Sequence, residues 1–246
     1  MLIAHKQIGE TPLECLERSR ALQGITALVP MTYAGRLDPL AFGKLLILVG
    51  DECKDKEKYL GLDKEYEIEV VFGVKTDTGD ALGLVTQVYP AWNESMTPDY
   101  LSKGFYWTKL RGKFTQVYPA YSSKTVNGRQ LHDLARSGDL PDEMPTKEVE
   151  IYSIEEIGKG ETSGHELAKQ AMENISKVKG DFRQKEIVAS WKKFDKENAA
   201  KRYFHSKLRV RCSSGTYMRS LSERIGREAG TVAFAFSIKR TRIGEF

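Results

Sequence analysis

The chain has little that would support disulfides, metal sites or a membrane span. Three cysteines in 246 residues, Cys15, Cys53 and Cys212, are odd in number and far apart. They exclude a disulfide framework or a cysteine zinc site and fit reduced thiols in a cytoplasmic protein. The four histidines show no HxxxH-type spacing, so no protein-bound catalytic metal is expected. No stretch approaches the roughly 18 apolar residues that mark a membrane helix. The opening MLIAHKQIGE is too short in apolar residues for a signal peptide. A strong charge bias is missing too: 38 Lys and Arg stand against 34 Asp and Glu, a net +4. That permits a polyanionic partner without demanding one. There is no internal repeat and no low-complexity tail.

What is present is 40% hydrophobic residues, enough at this length for one sizeable core. TPLECLERSRAL (11–22) reads as a helix. KLLILVG (44–50) reads as a buried strand. Tyr66, Ile68, Val70 and Phe72 alternate in KEYEIEVVFG, the pattern of a half-buried strand. A turn-rich KTDTGDALG leads to the strand GLVTQVY, and a short helix surrounds Leu131, Leu134 and Ala135. KEVEIYSIEEIG reads as a strand, and RYFHSKLRVRCSSGTYMRSLSERIGREAG as strand, turn and helix. Residues 159–201 differ: they are highly charged and helix-rich. Ser163 and Glu166 have capping-box spacing, Leu167, Ala171, Ile175 and Val178 recur at helical spacing, and Gly180-Asp181 breaks the pattern. Ile187, Trp191 and Phe194 then mark a second helix. This segment reads as a helical insertion in a β-rich core, a solvated hairpin on the domain surface or an added RNA contact.

One carboxylate stands out. Asp38 lies in TYAGRLDPLAFGKLLILVG among small and apolar residues. Asp before Pro is ordinary helix-start chemistry, with Asp as the cap and Pro at the first helical position. The other reading is a reactive carboxylate held on a loop and backed by a buried strand.

Four stretches, in order, decide for the second reading by resemblance. YAGRLDPLAFGKLLILVG is similar to the GHTGTLDPLATGVLPICLG-type motif of the tRNA pseudouridine synthase B (TruB) family. KEYEIEVVFGVKTDTGDALG resembles its K-x-Y, strand, fGxxTDTxDxxG block. QVYPAYSSKTVNGRQLHDLAR resembles QxPPxYSAxKxxGxxLYexAR, and CSSGTYMRSLSERIG resembles CSxGTYIRSLaxdLG. The resemblance spans nearly the whole chain apart from the insertion. It implies a mixed α/β (α+β) pseudouridine-synthase fold: a central, largely antiparallel mixed sheet flanked by helices. It also implies a cofactor-free RNA isomerase, monomeric, with no obligatory protein partner. This enzyme would convert uridine to pseudouridine in tRNA, at position 55 of the T-arm stem-loop.

In that reaction the N1–C1′ bond is cut, the base turns, and C5 joins C1′. A stacked base must first be flipped out, and a closed apolar pocket keeps water from the detached base. The resemblance makes Asp38 the reactive carboxylate, Arg219 its cationic partner through bidentate pairing, and Tyr66 the group that handles the C5 proton. Without the family, Tyr66 reads as a core tyrosine on a strand. Tyr217 would touch the flipped base or ribose, and Ile238 would border the uracil. Lys64 and Arg240 would run along RNA phosphates or be plain solvated charge. Asp77 and Asp80 read as a turn with Asx hydrogen bonds rather than a metal pair.

The chain also departs from the family pattern. Tyr33 takes the place of a histidine that helps hold the flipped RNA. Tyr118-Pro119 replaces Pro-Pro, Lys124 comes one place early with Thr125 in its position, and the opening block survives only as KQIGETP. Most relatives continue into a small PUA domain, so the expectation is a minimal catalytic domain over 1–246. The residues leave open whether Asp38 attacks C1′ or takes a proton from C2′. Two other readings stand beside this one: a guide-RNA-dependent synthase of the dyskerin type, and an RNA-folding chaperone without chemistry.

Overall fold

The computed structural model describes residues 1–89 and 105–246. In chain order they form β1 (Leu2–Lys6), α1 (Pro12–Leu22), β2 (Met31–Ala34), β3 (Phe42–Val49), α2 (Lys56–Leu60), β4 (Lys64–Phe72), β5 (Val74–Thr76) and β6 (Val85–Val88). There follow β7 (Gly112–Val117), β8 (Thr125–Val126), β9 (Arg129–Gln130), α3 (Leu131–Ser137), β10 (Thr146–Ser163), α4 (Gly164–Ile175), α5 (Gln184–Asn198), β11 (Arg202–Cys212), α6 (Met218–Glu228) and β12 (Ala233–Ile243).

Eight of these strands make one sheet in the order β1-β3-β12-β4-β11-β10-β7, with β2 added on β3. All pairings are antiparallel except a short parallel contact between β12 and β3, where Lys239 faces Phe42. The expected mixed, largely antiparallel sheet is therefore present. β4 lies in its middle and alternates as the sequence predicts: Lys64, Tyr66, Ile68 and Val70 are buried while Glu65, Glu67 and Glu69 are less so. One face carries the main core, in which Tyr66, Ile68, Val70, Leu208 and Val210 meet Met218, Leu221 and Ile225 of α6.

The segment read as a solvated hairpin is more than that. Its helices connect β10 to β11, whose pairing runs out to Ser163 opposite Arg202. Residues 159–163 are thus strand rather than insertion, because β11 offers them a complete ladder. Ser163 caps α4 through Glu166 N at 3.1 Å, while the Glu166 carboxylate turns to Gln170. Leu167, Ala171, Ile175, Ile187, Trp191 and Phe194 are buried with Val71, Tyr203 and Phe234 in a second core. Val71 follows Val70, so this core sits on the other face of the sheet. Trp191 Nε1 donates to Ala81 O at 3.0 Å and Ser190 Oγ accepts from Val85 N. These bonds fasten α5 to the KTDTGDALG turn.

Candidate active site

A cavity of about 710 Å³ opens between the loop after β2, strand β4, the turn after β5 and the start of α6. Asp38, Tyr66, Arg219, Tyr33, Tyr217, Ile238, Lys64 and Arg240 all line it. Residues far apart in the chain meet because β4 and β12 are sheet neighbours, with Tyr66 opposite Arg240 and Ile68 opposite Ile238.

Asp38 does not cap a helix. It opens a β-turn, with Ala41 N donating to Asp38 O at 3.0 Å and Pro39 in the second position, which its ring favours. Two buried cations hold the loop from opposite sides. Lys6 Nζ donates to Pro39 O (3.1 Å) and Ala41 O (2.6 Å). Arg240 donates to Lys44 O (2.8 Å) and Gly35 O (3.1 Å). Gly43 lies between them with φ +101°, and a Cβ there would come within 2.3 Å of Arg240 O, so only glycine lets the strands approach. Lys6 is the surviving lysine of KQIGETP, and burial lowers its ammonium to about 8.

The Arg219 guanidinium is 3% exposed, and its Nε pairs with Asp38 Oδ2 at 2.8 Å. The expected bidentate pairing is not formed. The two terminal nitrogens instead donate to backbone carbonyls: Nη1 to Thr78 O at 2.9 Å and Nη2 to Tyr121 O at 3.0 Å. The charge is thereby fixed in place, and a single nitrogen is left for the carboxylate. Burial alone would penalise the cation, but Asp38 and Asp80 outweigh it and raise its pKa. Asp38 is 35% exposed, so its carboxylate opens onto the cavity rather than being sealed.

Asp80 is a member of the cluster that its turn motif did not announce. Its Asx bonds are present, with Oδ1 accepting from Thr78 Oγ1 (2.8 Å) and Leu82 N (2.9 Å). Its other oxygen lies 3.8 Å from Arg219 Nε. Burial raises its pKa to about 6; Arg219 opposes this and Asp38 adds to it. Two carboxylates therefore share one guanidinium. The hint in the sequence was Gly79 just before it. At φ +76°, a Cβ there would press on Arg219 Cβ at 3.2 Å.

Lys64 and Arg240 are not phosphate-facing surface charges, being 6% and 1% exposed. Their donors are taken up by carbonyls, for Lys64 those of Leu60 at 2.7 Å and Leu62. Burial, with Arg240 nearby, lowers Lys64 to about 8. Tyr66 is buried and its phenol pKa is raised by that burial. Tyr33 is a half-buried residue of the cavity wall, with Lys56 Nζ 5.8 Å from its ring centre. Tyr217 N donates to Gln116 Oε1 at 2.9 Å, and its ring meets that of Tyr118 edge-on at 5.8 Å. QVYP thus docks GTYMR through the buried Gln116.

Residues 25–173 match the sequence model described as TruB family pseudouridylate synthase (N terminal domain). The chain belongs to the TruB family. Along its whole length it is 30% identical to the tRNA pseudouridine synthase B of Azoarcus sp. (strain BH72), covering 65% of that protein. It is also 30% identical to that of Geobacillus thermodenitrificans (strain NG80-2), covering 67%. The chain thus spans about two-thirds of these TruB relatives' length. A chain from the crystal structure of a Cbf5-Nop10-Gar1 complex superposes with a TM-score of 0.55 at 16% identity, covering 98% of this chain and 48% of that one. It shares the fold. No helix among the described residues is long and apolar enough to cross a membrane.

Proposed function

We propose that this chain is a stand-alone, cofactor-free tRNA pseudouridine synthase acting on the uridine at position 55 of the T arm. The observation that carries the proposal is the Asp38–Arg219 ion pair at 2.8 Å on the cavity wall that Tyr66 and Ile238 also line. Its whole-length relatives carry the name tRNA pseudouridine synthase B. The likeness to the chain from the Cbf5-Nop10-Gar1 complex is confined to fold.

The uridine is flipped from its stack and enters the cavity, whose wall includes Tyr33. Asp38, turned toward the cavity, acts on the ribose, either by attack at C1′ or by removal of the C2′ proton. In both courses N1–C1′ breaks and C5 comes to bond C1′. Arg219, with both Nη atoms fixed, gives the carboxylate a counter-charge that need not reorganise during the reaction. The seated base excludes water from the exposed part of Asp38. Ile238 borders the uracil. Tyr66, held as a neutral phenol by burial, relays the C5 proton: its hydroxyl oxygen takes that proton as its own hydroxyl proton leaves to solvent water. Tyr217 contacts base or ribose. Lys64 and Arg240 act from beneath, by fixing the loops that bear these groups. We read residues 1–246 as one catalytic domain, working as a monomer.

The test is incubation of the purified chain with a T-arm stem-loop carrying tritium at uridine C5. Stoichiometric tritium release without added partners supports the proposal. Binding without release would favour a chaperone, and release only with guide RNA and partner proteins a guided enzyme.

A further inference from the structure

The turn between α4 and α5 reaches the cavity, and Phe182 and Arg183 both line it. Arg183 sits there with φ +61°, ψ 27°. Among the described residues, Asn127 is the other non-glycine with positive φ. Asparagine tolerates that region; arginine adopts it at a cost. Such a residue persists where its side chain is held by something that outweighs the strain.

The side chain is held at two places. Nη1 pairs with Asp77 Oδ2 at 2.9 Å, both groups being mostly buried. The guanidinium carbon stacks 4.3 Å from the centre of the Tyr121 ring. Asp77 immediately precedes Thr78, and Thr78 O and Tyr121 O are the two carbonyls that hold the terminal nitrogens of Arg219. Asp77 is itself rigid, because its Oδ1 accepts from Leu84 N at 2.8 Å. The turn is anchored on its other side, where Arg136 Nη2 donates to Asp181 O.

We infer that Arg183 is a positioning residue for Arg219. It ties together the two loops whose carbonyls aim the Arg219 guanidinium at Asp38. The helix pair thus bears on the reacting groups through Arg183, beside the bonds of Trp191 and Ser190 that fasten α5 to the KTDTGDALG turn. This inference rests on the proposed reaction.

The test compares the parent with Arg183→Gly and Arg183→Lys, using a T-arm stem-loop with C5-tritiated uridine under single-turnover conditions. Glycine relieves the backbone strain, which offsets much of what the lost ion pair and ring contact contribute, so Arg183→Gly should lower the melting temperature by no more than about 3 °C. Its rate at saturating protein should fall by about tenfold or more, with RNA affinity changed by no more than about threefold. Arg183→Lys keeps the pair with Asp77 but cannot stack a planar group on Tyr121, so it should recover part of the rate. A glycine variant at the parent rate overturns the inference. So does a loss of affinity with an unchanged rate, which would make Arg183 an RNA contact, or a rate loss matched by a loss of stability. A parent chain that releases no tritium overturns the functional reading, and the inference with it.

Discussion

Arg219→Lys keeps the charge beside Asp38 and removes the geometry. Arg219 is 3% exposed and its three nitrogens have three separate partners: Asp38 Oδ2 at 2.8 Å, Thr78 O at 2.9 Å and Tyr121 O at 3.0 Å. A lysine ammonium is one point on a flexible stem and cannot occupy three such positions together. If it pairs with Asp38, the carbonyls of Thr78 and Tyr121 lose charge-assisted donors; if it turns to the carbonyls, Asp38 loses its counter-charge. The share that falls on the reaction is one or two such contacts, roughly 1.5–4 kcal/mol, or about tenfold to a thousandfold in rate. The assay is single-turnover tritium release at saturating protein, read beside thermal melting. Some loss of stability is expected, because the buried Thr78 carbonyl is left unpaired. A lysine variant with the parent's rate and a normal fold would refute the claim that the fixed guanidinium orients Asp38.

Two further outcomes follow from the same geometry. Asp80 titrates near 6 in the fold against 3.8 as the reference. Between those values the folded state binds more protons, so its contribution to stability falls as pH rises and is fully lost above about 6. Asp80→Asn lacks this dependence, so its stability relative to the parent should rise from pH 4 to 6 by up to about 3 kcal/mol and then level off. Denaturant melts across that range check it, and a flat difference would contradict a buried, ionising Asp80. Tyr33→His should be tolerated, because both rings offer a stacking face and a polar tip. Tyr33→Ala should slow base flipping and be partly rescued by a mismatched, pre-unstacked uridine. Parallel losses of rate and melting temperature, without rescue, would make Tyr33 a packing residue.

Single strands were legible in the sequence, β4 through its period-two alternation and β3 through its apolar run, while the arrangement of the sheet was legible only through the family resemblance. Six of the eight cavity residues were legible through the motif blocks, and Ile238 and Arg240 through the likeness of SIKRTRIG to the family's last strand; all eight line one space. What was not legible depends on partners distant in sequence. Asp38-Pro39 fits a helix start and a β-turn equally well, and the choice is made by Lys6 and Arg240 gripping the loop. Lys64 and Arg240 look like surface charge because nothing local reveals that backbone carbonyls converge on them. Asp80 has the signature of a turn and satisfies it; its second oxygen meets Arg219 only after β5, β6 and α6 have docked. Bidentate pairing was the natural expectation for a lone Arg–Asp pair, and the carbonyls of Thr78 and Tyr121 forestall it. Arg183 lies outside every motif block and reaches the site only because α4 and α5 fold back over the sheet.

The central claim is that Asp38 performs the chemistry. Asp38→Asn preserves the shape of the side chain, leaves the turn with Pro39 undisturbed and removes the negative charge. The measurement is tritium release from the C5-labelled T-arm stem-loop, together with the affinity for that RNA. The account predicts undetectable release with affinity close to the parent's. Release by the asparagine variant at a rate near that of the parent would contradict it.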